Sequence, residues 1–578
     1  MVTNNRSQLN PFSERGAALI TALFVITILT ILGVLVLNTS IVETKMAANQ
    51  KVSSKMFYAA EAGLERGLKV MVADMEDDAT ANGPWGNLSI PSSAGSVTAA
   101  LVNGATAFDE SIRSVEMYRD GDNTSGVRKL TFSNGGDTVG NATYELYMYS
   151  PNNNEVYLLS YASGLNGVAA VEYHLDTDDQ SPYNNAVFTG TGLTPDGGDP
   201  MNINIAGSVY SQGQVTLNGT STVVNNYTDS ACDASLISML PANNNLDTKV
   251  TAKGGAVTLQ GNSSIGSAGS NGAVSGIQAD SGFNPGSQTN YVNNVGTSPP
   301  NIPMPGILGG LEAQYPGISS SPAYSGIVNE TDRAMAIYTD LIRGLNGFAP
   351  GGTYADPNAT VTTKGMVIDT PVFDCQEGVW KTGELKIQDC TADFTYQDSL
   401  GNGVTYNAAS KTLAFTGMVM FSQEFEIKTT TPVTYSSQGS FIDSAGTIVA
   451  PSNQAELGAM VIAQEEIEIK TSFLPDNGAY LQGGTNTNSI SFLGGQEIEL
   501  ESNGGGAVQI TGFFYTPGGV EIEQNVQVAG TLIGGQFEVE GGNSGICQVP
   551  ALKNYLPQYM PGTDTVLAFN SREWRRVY

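Results

Sequence analysis

The sequence predicts an α+β chain that is mostly β: a long N-terminal transmembrane helix, a small mixed head, and then a parallel β-helix (a solenoid) with insertions. Three observations carry this prediction. No charged side chain occurs between Gly16 and Val42, where Ile, Leu and Val dominate. The composition is turn-forming, with 68 Gly in 578 residues and only 14% charged side chains. That balance disfavours a helical enzyme and favours many short strands joined by turns. Finally, a short motif alternating Glu with apolar residues recurs through the C-terminal half.

The first element follows from the apolar run. A helix of about 20 such residues spans a bilayer core of about 30 Å. Thr21, Thr27 and Thr30 can return their hydroxyls to the helix's own carbonyls. The preceding residues 1–16 are polar and end in Arg15-Gly16. A secretory signal would be cut after its apolar run, at an Ala-x-Ala-like sequence, and Leu35–Ser40 offers none. A cut between Gly16 and Ala17 would instead remove 1–16 as a leader and leave the apolar helix on the mature chain. Residues 17–74 contain no proline and read as one helix. In its second half Val42, Met46, Met56, Phe57, Ala60 and Leu64 alternate at helical spacing with Lys45, Lys51, Lys55, Glu61 and Glu65. Fully helical, this segment extends about 87 Å.

Two motifs follow in the same helix: Ile41-Val-Glu-Thr-Lys-Met-Ala-Ala-Asn-Gln50 and Phe57-Tyr-Ala-Ala-Glu-Ala-Gly-Leu-Glu-Arg66. With the Arg15-Gly-Ala-Ala-Leu19 start, they resemble the N-terminal domain of PilX-type type IV pilus assembly proteins. The resemblance covers barely a tenth of the chain. It implies a class III leader cut by a prepilin peptidase, an inner-membrane stage, and assembly with other pilins and minor pilins through the helix. It also implies that Thr21 becomes the fifth residue of the mature chain, where major pilins carry a glutamate. That carboxylate pairs with a neighbouring subunit's N-terminal ammonium, offsetting the cost of both charges in an apolar filament core. Threonine cannot supply the charge, which suits a chain end better than a repeating shaft position. The K-type minor pseudopilin of type II secretion likewise lacks this glutamate and caps its filament.

Residues 75–185 carry alternating strands such as Thr143–Tyr149, Val156–Tyr161 and Val168–Leu175, and read as a small α+β head of pilin-like type. Residues 186–545 hold the repeat. Gln423-Glu-Phe-Glu-Ile-Lys428, Glu465-Glu-Ile-Glu-Ile-Lys470, Gln496-Glu-Ile-Glu-Leu-Glu501, Gly519-Val-Glu-Ile-Glu523 and Gln536-Phe-Glu-Val-Glu540 each follow an apolar strand and a short turn. A coil of about 20 residues with insertions fits a parallel β-helix. Alternation puts Ile427, Ile469, Leu500, Ile522 and Val539 inward and the glutamates outward. Proline-rich loops and one helix, Asp332–Leu345, interrupt the repeat at about 280–355, and 546–578 forms a C-terminal segment.

The net charge of −30 excludes nucleic acid as a partner, because phosphates require basic surface. The chain's one histidine, His174, lies in an apolar strand, which removes histidine-based triads and multi-histidine metal sites. Four cysteines beyond a membrane helix permit disulfides. Cys375 with Cys390 is the expected pair, leaving Cys232 with Cys547 as the residual one. Glu426, Glu468, Glu499, Glu521 and Glu538 occupy matching positions and form an acidic ladder, expected to be a solvated face. Calcium is its alternative use, since stacked carboxylates recruit hard cations. Asp120 and Asp122 begin a calcium-like loop, but Thr131 stands where an EF-hand needs glutamate. No other cofactor is expected.

The functional expectation is a non-enzymatic, minor pilin-like component of a type IV pilus or related filament. It would reside in the inner membrane before assembly, then in the periplasm or at the cell surface. There, at the tip or along the shaft, it would display the solenoid for adhesion to a surface or glycan, or for assembly. The alternative is a membrane-anchored β-helix that binds carbohydrate or degrades polysaccharide with paired carboxylates.

Overall fold

The computed structural model describes residues 11–577 apart from 78–88, 103–107, 122–125, 133–137, 196–199, 344–360, 375–378, 444–447, 450–457, 482–487, 563–566 and scattered shorter gaps. The chain divides into two compact units, Met1–Asp178 with Phe569–Tyr578, and Asp179–Ala568. It is mostly β with one long apolar N-terminal helix.

In the first unit the helix runs over Pro11–Asp77. It begins before Ala17 because Pro11 suits a first turn: its fixed φ is helical and its missing N–H would have no partner there. Along the apolar stretch, Thr27 and Thr30 donate to the carbonyls of Leu23 and Ile26 at 2.8 and 2.7 Å, and so carry no unmet polar group outward. Further on, Met56, Ala59, Ala60, Leu64 and Leu68 are buried. Small residues let this face lie close to the sheet. A Cβ at Gly63 would meet Ser160 Oγ at 2.3 Å, and one at Gly67 would meet Leu158 at 2.9 Å.

That sheet has the strand order Ser89–Ser92, Gly95–Leu101, Arg128–Phe132, Ala142–Asn152, Glu155–Gly164, Gly167–Asp179 and Leu567–Val577. The last strand comes from what was expected to be a separate C-terminal segment. It returns after the whole second unit to lie beside Gly167–Asp179. On the sheet, Glu172 is wholly buried and accepts from Arg113 Nε at 3.1 Å, Tyr118 OH at 2.7 Å and Arg575 Nε at 2.6 Å. A carboxylate costs several kcal/mol to bury unless so partnered.

The second unit is built from three parallel ladders. The first stacks Gly365–Ile368, Met418–Phe421, Ala459–Ala463 and Ile490–Gly494 on the middle of Val508–Ile522 and then of Val526–Val539. It continues through Val187–Thr189, Val209–Ser211, Lys249–Ala252, Gly276–Ala279 and Val295–Gly296. The second pairs Leu385–Ile387, Phe425–Ile427, Glu466–Ile469 and Glu497–Leu500 with the ends of the same two long strands. The third includes Thr412–Thr416, Val433–Gln438 and Phe473–Pro475, and later Ser544–Cys547, Ile203–Ala206 and Thr222–Val224.

The chain therefore joins the stack in its middle. Residues 187–296 build one half outward. The chain crosses to the far end at Gly365 and builds the other half back, until Leu532–Gly534 pair with Val187–Thr189 and Ser544–Cys547 pair with Ile203–Ala206. Parallel pairing runs on to Val295–Gly296, so the crossing starts later than the excursion expected from about 280. Its main helix is Glu330–Arg343.

Between the ladders lies one core holding Ile427, Ile469, Leu500 and Ile522, with Phe492 stacked on Phe514 at 4.9 Å. Each such side chain contributes about 1.5–3 kcal/mol on burial. Val539, expected to be inward, is only partly buried. A second core covers the first ladder's other face, where Met335, Tyr338 and Leu341 of the crossing helix join Met418, Met460, Leu493 and Tyr515. Met418–Phe421 is consequently buried at every position, so this strand is a continuous apolar run instead of alternating.

Cys232 and Cys547 form a disulfide with Cα atoms 6.4 Å apart. The expected Cys375–Cys390 pair falls on Cys375, which lies outside the described residues; Cys390 is buried.

Candidate functional site

Two features could carry function, one in each unit. The first is the helix upstream of its sheet contact. Leu19, Ile20, Leu23 and Phe24 are 65–72% exposed, and Ile26, Leu29, Leu35 and Leu37 are exposed as well. Within Ala18–Leu68 lies a stretch apolar enough to cross a membrane, with none of its most apolar window buried. Thr21 is on this exposed stretch, and Gly16 continues the helix where an added Cβ would meet nothing within 4 Å. So much apolar surface is stable only in lipid or against other apolar helices.

The second feature is the glutamate ladder, formed because the repeats stack in register. Glu426 pairs with Glu468, Glu468 with Glu499, Glu499 with Glu521, and Glu521 with Glu538. Parallel strands lie about 4.8 Å apart. One expectation is overturned: Glu426 and Glu468 are buried, not solvated. Neighbouring rungs shield them on both sides, and two lysines, which sequence reading did not assign to the column, cover them. Lys386 meets Glu424 at 2.8 Å and Glu426 at 3.3 Å. Lys470 meets Glu499 at 3.1 Å and also contacts Glu468 and Glu501. Lysine stems pack along the column while their ammonium groups reach the carboxylates. For Lys470 the signal was present in the repeat itself, as the Ile-Lys ending of its copy, whereas Lys386 stands in a strand outside the copies read from the sequence. Glu499, Glu521 and Glu538 are half-buried.

Electrostatics divides the column. Burial opposes the charged form of Lys386, but Glu424 and then Glu426 hold its pKa above the usual lysine range. Lys470 is likewise raised, burial notwithstanding, by Glu501 and Glu499. Burial and then Glu424 push Glu466 up to about 7. Burial and then Glu499 and Glu540 do the same to Glu521, and burial with Glu501 to Glu523, each to about 7. Glu521, Glu523 and Glu540 bring one oxygen each within 4.8 Å of one another, a donor set that hard cations accept.

The remaining sequence candidates do not converge. Asp120 is exposed and Asp122 lies outside the described residues. His174 stacks on Tyr157 with centroids 4.3 Å apart, inside the head.

In the first unit, the exposed apolar helix whose second half seats on a small sheet is a type IV pilin-like arrangement. The family model described as PilX N-terminal matches residues 15–65 of the chain. Among solved structures, the chain is similar to the competence-associated pilin ComZ from Thermus thermophilus. The TM-score is 0.41 and the identity 14%, with 91% of this chain and 98% of that chain covered. No curated protein matches the chain.

Proposed function

We propose that this chain is a minor pilin-like component of a type IV pilus or related filament. It rests in the inner membrane through Ala18 and the residues after it, is cut between Gly16 and Ala17 by a prepilin peptidase, and joins other pilins through the same helix. The observation that carries this reading is the uncharged, exposed first half of the helix directly behind Arg15-Gly16, within the matched residues 15–65. Thr21 in place of a glutamate favours a filament end, because no carboxylate is available there to meet a neighbour's ammonium. The three parallel ladders wind as a β-helix presented outside the cell for adhesion or assembly. Lys386 and Lys470 neutralise part of its glutamate column, and the rest keeps the face from pairing laterally. No catalytic role is assigned to these carboxylates, which repeat along a ladder.

N-terminal sequencing of the protein from cells with and without prepilin peptidase tests the reading. A mature chain starting at Ala17 only when the peptidase is present is expected. An intact Met1, or a cut near Ser40, would favour the alternative of a membrane-anchored carbohydrate-binding protein. Immunogold labelling of sheared filaments tests the position: sparse or terminal decoration is expected, and uniform decoration of the shaft overturns it.

A further inference from the structure

The two halves of the stack meet at a seam with no chain continuity across it. Each half is continuous within itself, since successive rungs follow one another along the sequence. At the seam, rungs from opposite ends of the second unit are juxtaposed: Leu532–Gly534 with Val187–Thr189, and Ser544–Cys547 with Ile203–Ala206. Ladder pairing there rests on seven residue pairs drawn from segments more than 300 positions apart. Bringing such distant segments together carries a larger loop-closure cost than pairing neighbouring rungs does, although that cost rises only slowly with separation.

The disulfide lies at this junction. Cys547 ends the last strand of the returning half, and Cys232 follows the third-ladder strand Thr222–Val224 of the first half. The bond closes a separation of 315 residues. Polar contacts converge on the next residue. Ser208 N donates to Gln548 Oε1 at 2.8 Å, Gln548 Nε2 donates to the Asn184 carbonyl at 2.5 Å, and Tyr227 OH donates to the Gln548 carbonyl at 2.5 Å. Gln548 N also donates to the Ala206 carbonyl at 2.8 Å, so Cys547-Gln548 is held covalently and by these hydrogen bonds to the first half and to Asn184 just before it.

We propose that the Cys232–Cys547 disulfide is a clamp on a separable seam, so that the stack is a two-part body that opens between Val187–Ala206 and Leu532–Cys547 when the bond is absent, while each half keeps its own ladders. Such a clamp requires an oxidising compartment, where the bond persists. The inference is independent of filament assembly, and its test needs no partner.

Hydrogen exchange on the full-length protein, purified in detergent, tests it. The Cys232→Ser/Cys547→Ser double variant isolates this bond from the other two cysteines. Amides of Val187–Thr189 and Leu532–Gly534 should exchange on the order of tenfold or more faster than in the unmodified chain, as for a sub-global opening. Amides of Lys249–Ala252, two strands beyond the seam strand of the first half, and of Ala459–Ala463, three beyond that of the returning half, should keep their rates. Treatment of the unmodified protein with a phosphine reductant, which is oxidised as it converts the disulfide to two thiols, should reproduce the pattern at the seam. Unchanged seam amides in the double variant would overturn the proposal. So would uniform loss of protection through both halves, which would make the bond a staple of the whole unit. The milder Gln548→Ala, with the disulfide intact, should leave the seam closed; opening there would shift the clamp from the disulfide to the hydrogen bonds and equally overturn it.

Discussion

Arg575 Nε donates to Glu172 Oε1 at 2.6 Å, joining residues 403 positions apart in the sequence. Glu172 is wholly buried, whereas the Arg575 side chain is 45% exposed, and Arg113 approaches the same carboxylate at 3.1 Å. Burial, and then the Glu172 charge, also hold the Tyr118 phenol well above its ordinary pKa. The sheet's last strand is thus tied to a carboxylate that the preceding strand carries inward.

Removing that carboxylate strands two guanidinium groups. Glu172→Leu is expected to destabilise the first unit by about 3–5 kcal/mol, the range for breaking one side of a buried pair. Arg575→Ala leaves Arg113 and Tyr118 in place at a half-exposed position, so about 1 kcal/mol is expected. Urea titrations followed by exchange in Glu155–Gly164 measure both. Equal effects would show that the network does not discriminate its partners.

Ile469 is wholly buried in the core between the ladders, and Val539 is only partly so. Ile469→Asp is expected to cost several kcal/mol, since an unpaired carboxylate would enter a dry core. Val539→Asp should cost markedly less. Denaturant midpoints of the second unit in the full chain decide this, and an inverted order would overturn the inward assignment.

Lys470 serves Glu468, Glu499 and Glu501 together. Lys470→Met keeps much of its apolar stem but leaves three crowded carboxylates uncompensated, so a loss of about 2–4 kcal/mol is expected. Adding Glu468→Gln should recover part of it by removing one charge. Comparing single and double variants in a mutant cycle checks the coupling.

The column also predicts a pH dependence. Glu466, Glu521 and Glu523 have folded pKa values raised to about 7, above the ordinary glutamate value of 4.5. The folded state therefore binds more protons than the unfolded state between these limits. Stability from these groups is full below about pH 4.5 and is lost as pH rises toward 7. Partial exposure reduces the size of the effect through solvent screening. Melting temperatures of the wild type and of Glu521→Gln across this window test it. The wild type should fall more steeply, and parallel profiles would sink the assignment.

The helix and the repeat were legible because each is periodic. An uncharged run needs no tertiary information, and alternation along Glu465–Lys470 fixes which residues face inward. The burial of Glu468 was not legible, because it arises from rungs and a lysine brought alongside by stacking. Gly63 and Gly67 are where Ser160 and Leu158 come close, an approach that nothing in the helix alone announces. The seam was hidden for a related reason. Nothing local in Val187–Thr189 announces pairing with Leu532–Gly534, and Cys232–Cys547 was ranked behind a pair closer in sequence. Leu567–Val577 read as a tail because its partner strand precedes it by the length of the whole second unit.

Residues 179–568 sit between two hydrogen-bonded neighbours of a single sheet. Topologically this large body is a loop between two neighbouring strands, and the entropic penalty of a loop grows only slowly with its length. The host sheet asks no more of the insert than that its two ends come near each other. The same apolar helix and sheet could therefore accept a shorter, longer or unrelated passenger at this point without redesign. Recombination at Asp179 and Ala568 would exchange the whole second unit while leaving the long helix and its sheet untouched.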